Sequence, residues 1–202
     1  MNAKADQKDR THSTILESAA RLLRANGIAG ARVADVMRGA GLTVGGFYAH
    51  FASKEALVDD ALRLTATRMR ARLFAGLDQK PEQDRAEVLL KRYLSTAHRD
   101  DREGGCPFPA VIGEVATTAP EHAEVLAEQV DAFAAELQAV LPTSDELSKR
   151  HLAIGLFALM YGGLGLARAL RGTDLSDEVI KACRAFGRFA LKSDSSTTKR
   201  TP

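Results

Sequence analysis

The chain has 202 residues, of which 45% are hydrophobic and 27% charged, with a formal net charge of +2 at pH 7. This composition is ordinary for a soluble globular protein. The two cysteines, Cys106 and Cys183, are far apart and have no further thiols beside them, which excludes a disulfide framework and a zinc site. Alanine, leucine, arginine and glutamate dominate and strand-like alternation is scarce, so the predicted fold class is all-α.

The distribution of charge is more informative than its sum. Residues 1–72 hold 12 Lys and Arg against 7 Asp and Glu, whereas residues 73–202 hold 16 against 19. The contrast is compatible with an N-terminal end that faces DNA, although a division at residue 60 leaves +1 on each side. No charged-then-apolar leader opens the chain and the few cysteines suit a reducing compartment, so we expect a cytoplasmic protein.

The first predicted helix spans about residues 11–26 and ends at Gly27. A polar segment, residues 1–10, precedes it. That segment is interpreted either as a frayed terminus or as an arm that reaches into a minor groove.

Two short helices joined by a glycine turn follow. Apolar residues recur with helical spacing over residues 33–40, and Gly41 stands where a left-handed helix end is needed. Thr43 is placed to cap the next helix. The predicted inward stripe of that helix is Val44, Phe47, Tyr48 and Phe51, and its predicted outward positions are Gly45, Gly46, Ala49 and His50. The pattern predicts a helix-turn-helix whose second helix enters a major groove.

Residues 10–57 resemble the DNA-binding domain of the TetR family of one-component bacterial transcription regulators. The resemblance is carried by Gly27-Ile28, Val33 to Val36, Ala40 to Leu42, Phe47 to Phe51 and Ser53 to Leu57. The chain departs from the family at the start of the second helix, where Ser or Thr is usual and Ala31 and Arg32 stand instead. Neither side chain can accept a backbone N–H bond, so we expect this helix start to be weaker by about 1 kcal/mol.

Several residues of the predicted head are assigned to DNA. The two glycines would let the helix backbone approach the bases, and Val44 is placed to touch a thymine methyl group. The resemblance implies that Tyr48 and Lys54 hold backbone phosphates. The full set of predicted DNA-binding residues is Arg32, Val33, Thr43, Val44, Gly45, Gly46, Phe47, Tyr48, His50 and Lys54.

Six further helices are predicted after the head. The first runs from the cap residue Ser53 to about Leu77, and its arginines are interpreted as a solvated face. Those arginines are Arg63, Arg68, Arg70 and Arg72. The others are expected at about 82–100, from Cys106-Pro107, at 120–141, from Thr143 or Ser144 to Gly172, and at 175–191. The predicted domains are a DNA-binding head at 1–54, a ligand-binding and dimerisation body at 55–192, and a disordered tail at 193–202.

Residues 152–167 carry no charge but are too short for a transmembrane span, which needs about 20 apolar residues. A helix that is apolar all round is usually buried on several sides. The resemblance implies that the last two long helices form a four-helix bundle with a second copy. The predicted dimer interface comprises Gly155, Ala158, Gly162, Gly163, Ala182 and Phe186.

A pocket for a small-molecule effector is implied inside the body. Its candidate wall residues, each also interpretable as plain core, are Phe74, Tyr93, Cys106, Phe108, Phe133, Phe157 and Tyr161. Cys106 precedes Pro107 at a predicted helix N-terminus, where the helix dipole favours a thiolate. Two roles stay open for this cysteine, packing and the sensing of oxidants or electrophiles.

The remaining patterns point away from catalysis. The histidines lack ligand spacing and no Ser/His/Asp arrangement has local support, so we expect no metal, no cofactor and no enzyme activity. The predicted function is a homodimeric DNA-binding repressor that a small-molecule or thiol-reactive effector releases from a pseudo-palindromic operator. The alternative is a helical small-molecule-binding protein or enzyme with a vestigial head. An activator on DNA would have the same sequence features.

Overall fold

The computed structural model describes residues 3–141 and 146–197. Over these residues the chain forms nine α-helices and two 3-10 helices and no strand, which confirms the all-α fold class. The α-helices are α1 (Ala3–Gly30), α2 (Val33–Gly39), α3 (Lys54–Phe74), α4 (Glu82–Tyr93), α5 (Thr96–Asp100), α6 (Phe108–Thr117), α7 (Ala123–Gln138), α8 (Glu146–Ala169) and α9 (Asp174–Thr197). The 3-10 helices are Val44–Ala49 and Pro120–His122.

The chain divides into two compact units, each built from two stretches of sequence. Residues 1–68 and 102–127 form the first unit, and residues 69–101 and 128–202 form the second. The first unit therefore contains most of α3 and all of α6 in addition to the predicted head. The functional boundary at residue 54 stays a prediction.

The first unit is organised around α1, which packs against α2 and α6. Its core is one continuous cluster of apolar side chains, and it includes the fully buried Ile15, Leu23, Met37, Phe47, Leu57, Leu62 and Val111. The hydroxyl of Ser18 donates to the carbonyl of Val36 at 2.8 Å. A Cβ added to Gly39 would stand 2.4 Å from that hydroxyl oxygen, so α1 and α2 lie in close contact there.

Helix α1 is longer than predicted and bends at Gly27. It begins at Ala3, because no proline or glycine interrupts residues 3–26. Gly27 has a φ of +73° and ends the regular helix as expected, but one more turn follows to Gly30. The backbone N–H groups of Ile28 and Ala29 donate to the carboxylate of Glu114 on α6. This carboxylate supplies the cap that the extra turn lacks within its own sequence.

The second unit is built on α4, α8 and α9, with α8 and α9 paired along their length. An aromatic cluster fills its interior, where the Phe133 ring lies 5.7 Å from Phe74, 6.1 Å from Tyr93 and 4.9 Å from Phe157. Arg70 is buried here and donates to Glu136 at 2.8 Å and to Gln129 at 2.9 Å. The interpretation of the α3 arginines as a solvated face is therefore wrong for Arg70.

Two further expectations are corrected. The helix predicted at 82–100 is interrupted at Leu94, and α5 starts where the Ser95 hydroxyl accepts the His98 N–H at 3.1 Å. Helix α9 continues to Thr197, beyond the predicted start of the tail at residue 193. Residues 198–202 and the predicted cap residues Thr143 and Ser144 lie outside the described residues.

Candidate nucleic-acid interface

The turn between α2 and the helix Val44–Ala49 closes as the sequence predicts. Gly41 has a φ of +72°. Its N–H donates to the carbonyl of Arg38 at 3.0 Å, and the N–H of Leu42 donates to that of Met37 at 2.9 Å. This pair of bonds is the Schellman motif, in which a left-handed residue satisfies the last carbonyls of a helix. The predicted glycine end of α2 is confirmed.

The helix Val44–Ala49 is a short 3-10 helix held by two phenylalanines. Phe47 and Phe51 are buried and their rings stack at 5.8 Å, while Phe51 also stacks on His12 at 4.4 Å. Val44 is 49% exposed and Tyr48 is 76% exposed. The predicted inward stripe is therefore right for the two phenylalanines and wrong for Val44 and Tyr48, because so short a helix has only one narrow line facing the core.

The outer face of this helix is small and unobstructed. A Cβ added to Gly45 would meet no atom within 4 Å, and one added to Gly46 would first meet the Met37 side chain at 3.9 Å. Neither glycine has the positive φ that would demand glycine. The fold of the first unit would therefore accept a side chain at either position.

Two cations flank this face. Arg32 is exposed at the N-cap position of α2 and makes no capping hydrogen bond, in line with the weak helix start expected from the sequence. Lys54 is the first residue of α3, and Ser53 before it accepts the Ala56 N–H at 3.2 Å, which confirms the predicted cap. Backbone N–H and Ser53 hydroxyl bonds hold the pKa of Glu55 below its usual range.

Some of the side chains predicted to contact DNA are not exposed in the structure. The Phe47 side chain is fully buried, and Val33 is half-buried against the core of the first unit. His50 is half-buried, and its Nδ1 is enclosed with no hydrogen-bond partner among the described residues. Thr43 is exposed but makes no capping bond. The predictions of an outward His50 and a Thr43 cap are therefore wrong.

The predicted pocket residues fall into two groups, one in each unit. Cys106 and Phe108 are fully buried at the start of α6 in the first unit. The other candidates belong to the aromatic cluster of the second unit, where they contact one another. The second unit has a cavity of about 290 Å³ elsewhere, lined by Met69, Arg72, Leu73, Arg92, Ser95, Ala97, His98 and Asp101.

Most of the predicted dimer residues lie on an exposed face of α8 and α9. Gly155, Ala158, Gly162, Ala182 and Phe186 are exposed. Gly163 is the exception, because it is buried and a Cβ there would stand 2.8 Å from the Cys183 sulfur. Its assignment to a dimer surface is wrong, since it serves the packing of α8 against α9.

Helix α8 also contains the segment Lys149–Ala169, which is long and apolar enough to cross a membrane by length and composition alone, with a mean hydropathy of 1.6. Within the second unit its inner side is buried against its neighbours, which is typical of a core helix. Over the described residues no group of three His, Cys, Asp or Glu side chains could hold a metal ion.

Two long-range contacts had no signal in the sequence. One is the Glu114 carboxylate beneath the last turn of α1. The other joins His122, only 2% exposed, to Asp59 of α3, with Nδ1 at 2.7 Å from the carboxylate oxygen. In each case the partners are more than 60 residues apart, so only the folded chain brings them together.

A helix-turn-helix with this exposed second helix is the architecture of a DNA-binding protein. Residues 15–61 match the family model described as bacterial regulatory proteins, tetR family. A 63-residue segment is 40% identical to the HTH-type transcriptional repressor KstR2 of Mycobacterium tuberculosis. That segment covers 31% of this chain, and the match spans only about a third, 32%, of the repressor's length.

Solved structures extend the likeness to about nine tenths of the chain. A TetR transcriptional regulator from Chloroflexus aurantiacus is 27% identical with a TM-score of 0.73, over 90% of this chain and 96% of that one. The reduced form of E. coli NemR is 21% identical with a TM-score of 0.74, over 89% and 96%. Residues 15–61 therefore match the DNA-binding segment of the tetR family, the chain has the fold of solved TetR regulators, and the resemblance seen in its sequence is confirmed.

Proposed function

We propose that the protein is a homodimeric transcriptional repressor that binds a pseudo-palindromic operator and leaves it when a small molecule binds the second unit. The observation that carries the proposal is the bare outer face of the helix Val44–Ala49. Gly45 and Gly46 have ordinary backbone angles and open space around them. Their missing side chains serve no contact within the described chain, so they fit close approach by an external surface such as a major groove.

The neighbouring side chains suit the same partner. The exposed Val44 offers an apolar contact for a thymine methyl group, and Thr43 offers a hydroxyl for a base edge or phosphate. Tyr48, Arg32 and Lys54 would hold backbone phosphates, which position the helix without reading sequence. With few polar side chains toward the bases, DNA shape would supply part of the specificity.

The dimer would form through the exposed face of α8 and α9. Phe186 is 63% exposed and Phe189 is 67% exposed, and Ile154 and Leu166 are also exposed. Burying apolar surface gains about 25 cal/mol per Å², so a face on which Phe186 and Phe189 are largely exposed favours a partner. A second copy fits best, because a two-fold axis pairs the same α8–α9 face with itself, and TetR-type regulators typically form dimers.

The effector would lie in the cavity of about 290 Å³ in the second unit, near the lower end of the volumes typical of small-molecule sites. Its apolar wall includes Met69 and Leu73, and Arg72 and Arg92 supply polar groups. Release from DNA requires only that the effector bind better to a conformer whose heads fit the operator poorly. A thiol-reactive effector is not proposed, because Cys106 is fully buried.

Selection of genomic fragments by the purified full-length protein, followed by footprinting, tests this function. We expect one or a few protected sites with two-fold symmetry. The logarithm of the association constant should fall linearly with the logarithm of the salt concentration, with a slope of about −0.9 for each phosphate contact. Lys54→Ala should reduce that slope on all sequences alike. If no fragment is selected at low salt, the repressor proposal fails and a helical binding protein or enzyme with a vestigial head replaces it.

The glycine argument has its own test. Gly45→Leu should bind the selected operator no more tightly than random duplex, because the side chain blocks the approach of the backbone. Gly113→Leu is the matched control, since Gly113 is an exposed helical glycine of α6 with equally open space. Both variants should melt as the wild type does. Normal operator binding by Gly45→Leu would move the recognition surface elsewhere.

A further inference from the structure

Helix α9 carries a line of cations beside its buried face. Lys181, Arg184, Arg188 and Lys192 recur at intervals of three, four and four residues, so they lie in one stripe along the helix. The stripe is distinct from the exposed apolar face with Phe186 and from the inner face with Ile180. No part of the proposed DNA-binding or dimer surface uses these cations.

Three of these cations line a small cleft against α4. Lys181, Arg184 and Arg188, together with Leu90 and Lys91 of α4, enclose a cavity of about 150 Å³. We refer to it as the α4–α9 basic cleft. Four of its five lining residues are cationic, and like charges in one small space repel each other unless an anion lies between them.

The two helices are held at a fixed separation at this point. Gly187 lies between Arg184 and Arg188, and a Cβ added there would stand 2.7 Å from the Leu90 Cδ2. The backbone of α9 therefore rests directly on the α4 side chain. Cations on two helices in such close contact are presented by a rigid frame, which lowers the entropic cost of binding a ligand.

The hydrogen bonds and ion pairs that these cations make within the protein leave some of their N–H donors available to a ligand. Arg184 is oriented by its bonds to the carbonyls of Leu94 and Lys91, which use two of the five guanidinium N–H donors. Lys91 pairs with Glu87 at 2.7 Å. In the described stretches, neither Lys181 nor Arg188 has a carboxylate at ion-pair distance.

The field of the cluster extends to Glu87 of α4. The Lys91 hydrogen bond, followed by the charges of Lys91, Arg188 and Lys192, holds the pKa of Glu87 below its usual range. Glu87 thus feels the charge of three cations. The cleft keeps an excess of positive charge.

We propose that the α4–α9 basic cleft binds a phosphate group. Its volume is well below the roughly 300 Å³ at which drug-sized pockets begin, so it accommodates an ion-sized group. Arginine guanidinium groups match the geometry of phosphate oxygens and can bind them in pairs. A doubly charged anion also suits a cleft with more than one uncompensated cation. The phosphate is either free in solution or the terminal group of a larger molecule whose remainder lies outside the cleft.

This site is separate from the proposed operator and effector sites. A phosphate held by both α4 and α9 would join the two helices, and ligand that binds only the folded state raises stability with its concentration. The second unit would then be sensitive to phosphate-bearing ligands whether or not DNA is bound.

Calorimetric titration of the full-length protein at constant ionic strength tests the proposal, with inorganic phosphate and phenyl phosphate as probes. The double variant Lys181→Gln/Arg188→Gln should bind phosphate about tenfold to a hundredfold more weakly, since it loses two charged contacts. The matched control Lys80→Gln/Arg150→Gln removes the same charge from exposed positions of the second unit and should bind as the wild type does. Circular dichroism and melting without phosphate verify that both variants fold.

The outcomes separate the sources of the phosphate. Equal affinity for the two probes supports a phosphate carried by a larger molecule, whereas binding of inorganic phosphate alone supports the free ion. Phosphate binding that is absent from the wild type, or equal in the wild type and the cleft variant, overturns the proposal. It is also overturned if the cleft variant keeps phosphate binding but loses affinity for non-operator duplex, since the cations would then belong to a nucleic-acid surface.

Discussion

The helix Val44–Ala49 and the helix pair α8–α9 each contain two adjacent glycines, Gly45-Gly46 and Gly162-Gly163, in very different surroundings. A Cβ at Gly45 or Gly162 would meet nothing within 4 Å, and one at Gly46 would meet its first atom at 3.9 Å. A Cβ at Gly163 would collide with the Cys183 sulfur at 2.8 Å. The packing of the chain itself would therefore accept a side chain at Gly45, Gly46 or Gly162. At Gly163 it requires glycine.

This difference shows what a glycine pair can and cannot reveal. Where the protein's own atoms fill the space, the small residue is a condition of folding, as at Gly163. Where the space is empty, as at Gly45 and Gly162, the protein's own packing does not require glycine, and the small residue fits the contact with another molecule that we propose for each surface. Two substitutions in α8 test this contrast directly, and two further measurements test the burial of His98 and of the two cysteines.

The largest effect is expected for Gly163→Glu. The side chain would overpack the α8–α9 contact and place a carboxylate in the interior, where an unpaired charge costs several kcal/mol. Such a cost is a large fraction of the stability of an ordinary domain. Urea denaturation followed by circular dichroism should show a much lower midpoint or an unfolded protein. A wild-type midpoint would mean that α8 and α9 are packed differently.

Gly162→Glu, one residue away, should leave the protomer folded and weaken the dimer. The carboxylate would be buried against a second copy of the same face. Light scattering should report a monomer at concentrations where the wild type is dimeric. Gly113→Glu, at an equally open glycine of α6, is the control that should remain dimeric. An unchanged dimer for Gly162→Glu would place the interface on another surface.

The stability of the second unit should depend on pH through His98. Burial lowers the pKa of this histidine from 6.5 to about 4, against the opposing effect of its bond to the Tyr93 carbonyl. The unfolded chain therefore binds more protons between these values, and stability falls as the pH drops from 6.5 to 4. The loss should approach about 3 kcal/mol. His98→Gln should flatten this part of the profile, whereas the exposed His151→Gln should not. Identical profiles for wild type and His98→Gln would contradict the assignment.

The smallest effect concerns the two thiols. Cys106 is fully buried and Cys183 is half-buried opposite Gly163, so Cys183 should be alkylated first, the reverse of the order that the sequence suggests. Burial raises the pKa of the Cys183 thiol, so its reaction should accelerate only at high pH. Mass spectrometry of protein treated with iodoacetamide measures both rates. Faster modification of Cys106 would revive its role as a sensor.

The features that the sequence predicted correctly are governed by neighbouring residues. The left-handed Gly41 and the Ser53 cap each depend on bonds within about five residues. The failures depend on distant residues or on surroundings. Arg70 can be buried because its guanidinium group donates hydrogen bonds to Gln129 and Glu136, which are distant in sequence. Val44 and Tyr48 are exposed because the core of the first unit contacts only one side of their short helix.

The candidate site was predictable in position but only partly in detail. The exposed glycines and flanking cations followed from the pattern around the turn. The assignments of Phe47, His50 and Gly163 required knowledge of which side of each helix faces the interior. Hydrophobic periodicity cannot decide this for Phe47 and His50, where small and aromatic residues alternate over a helix of only six residues. For Gly163 it fails because residues 152–167 are apolar on every side of α8.

The Glu114 carboxylate beneath Ile28 and Ala29 limits how the protein can be dissected. A fragment that ended at residue 61, where the family match stops, would contain the whole helix-turn-helix and yet lack the group that closes the last turn of α1. Gly27, whose added Cβ would stand 2.9 Å from both Glu114 and the Ala110 carbonyl, would then border open solvent. We therefore expect a fragment or chimera that includes α6 together with the head to be more stable than one that ends at residue 61.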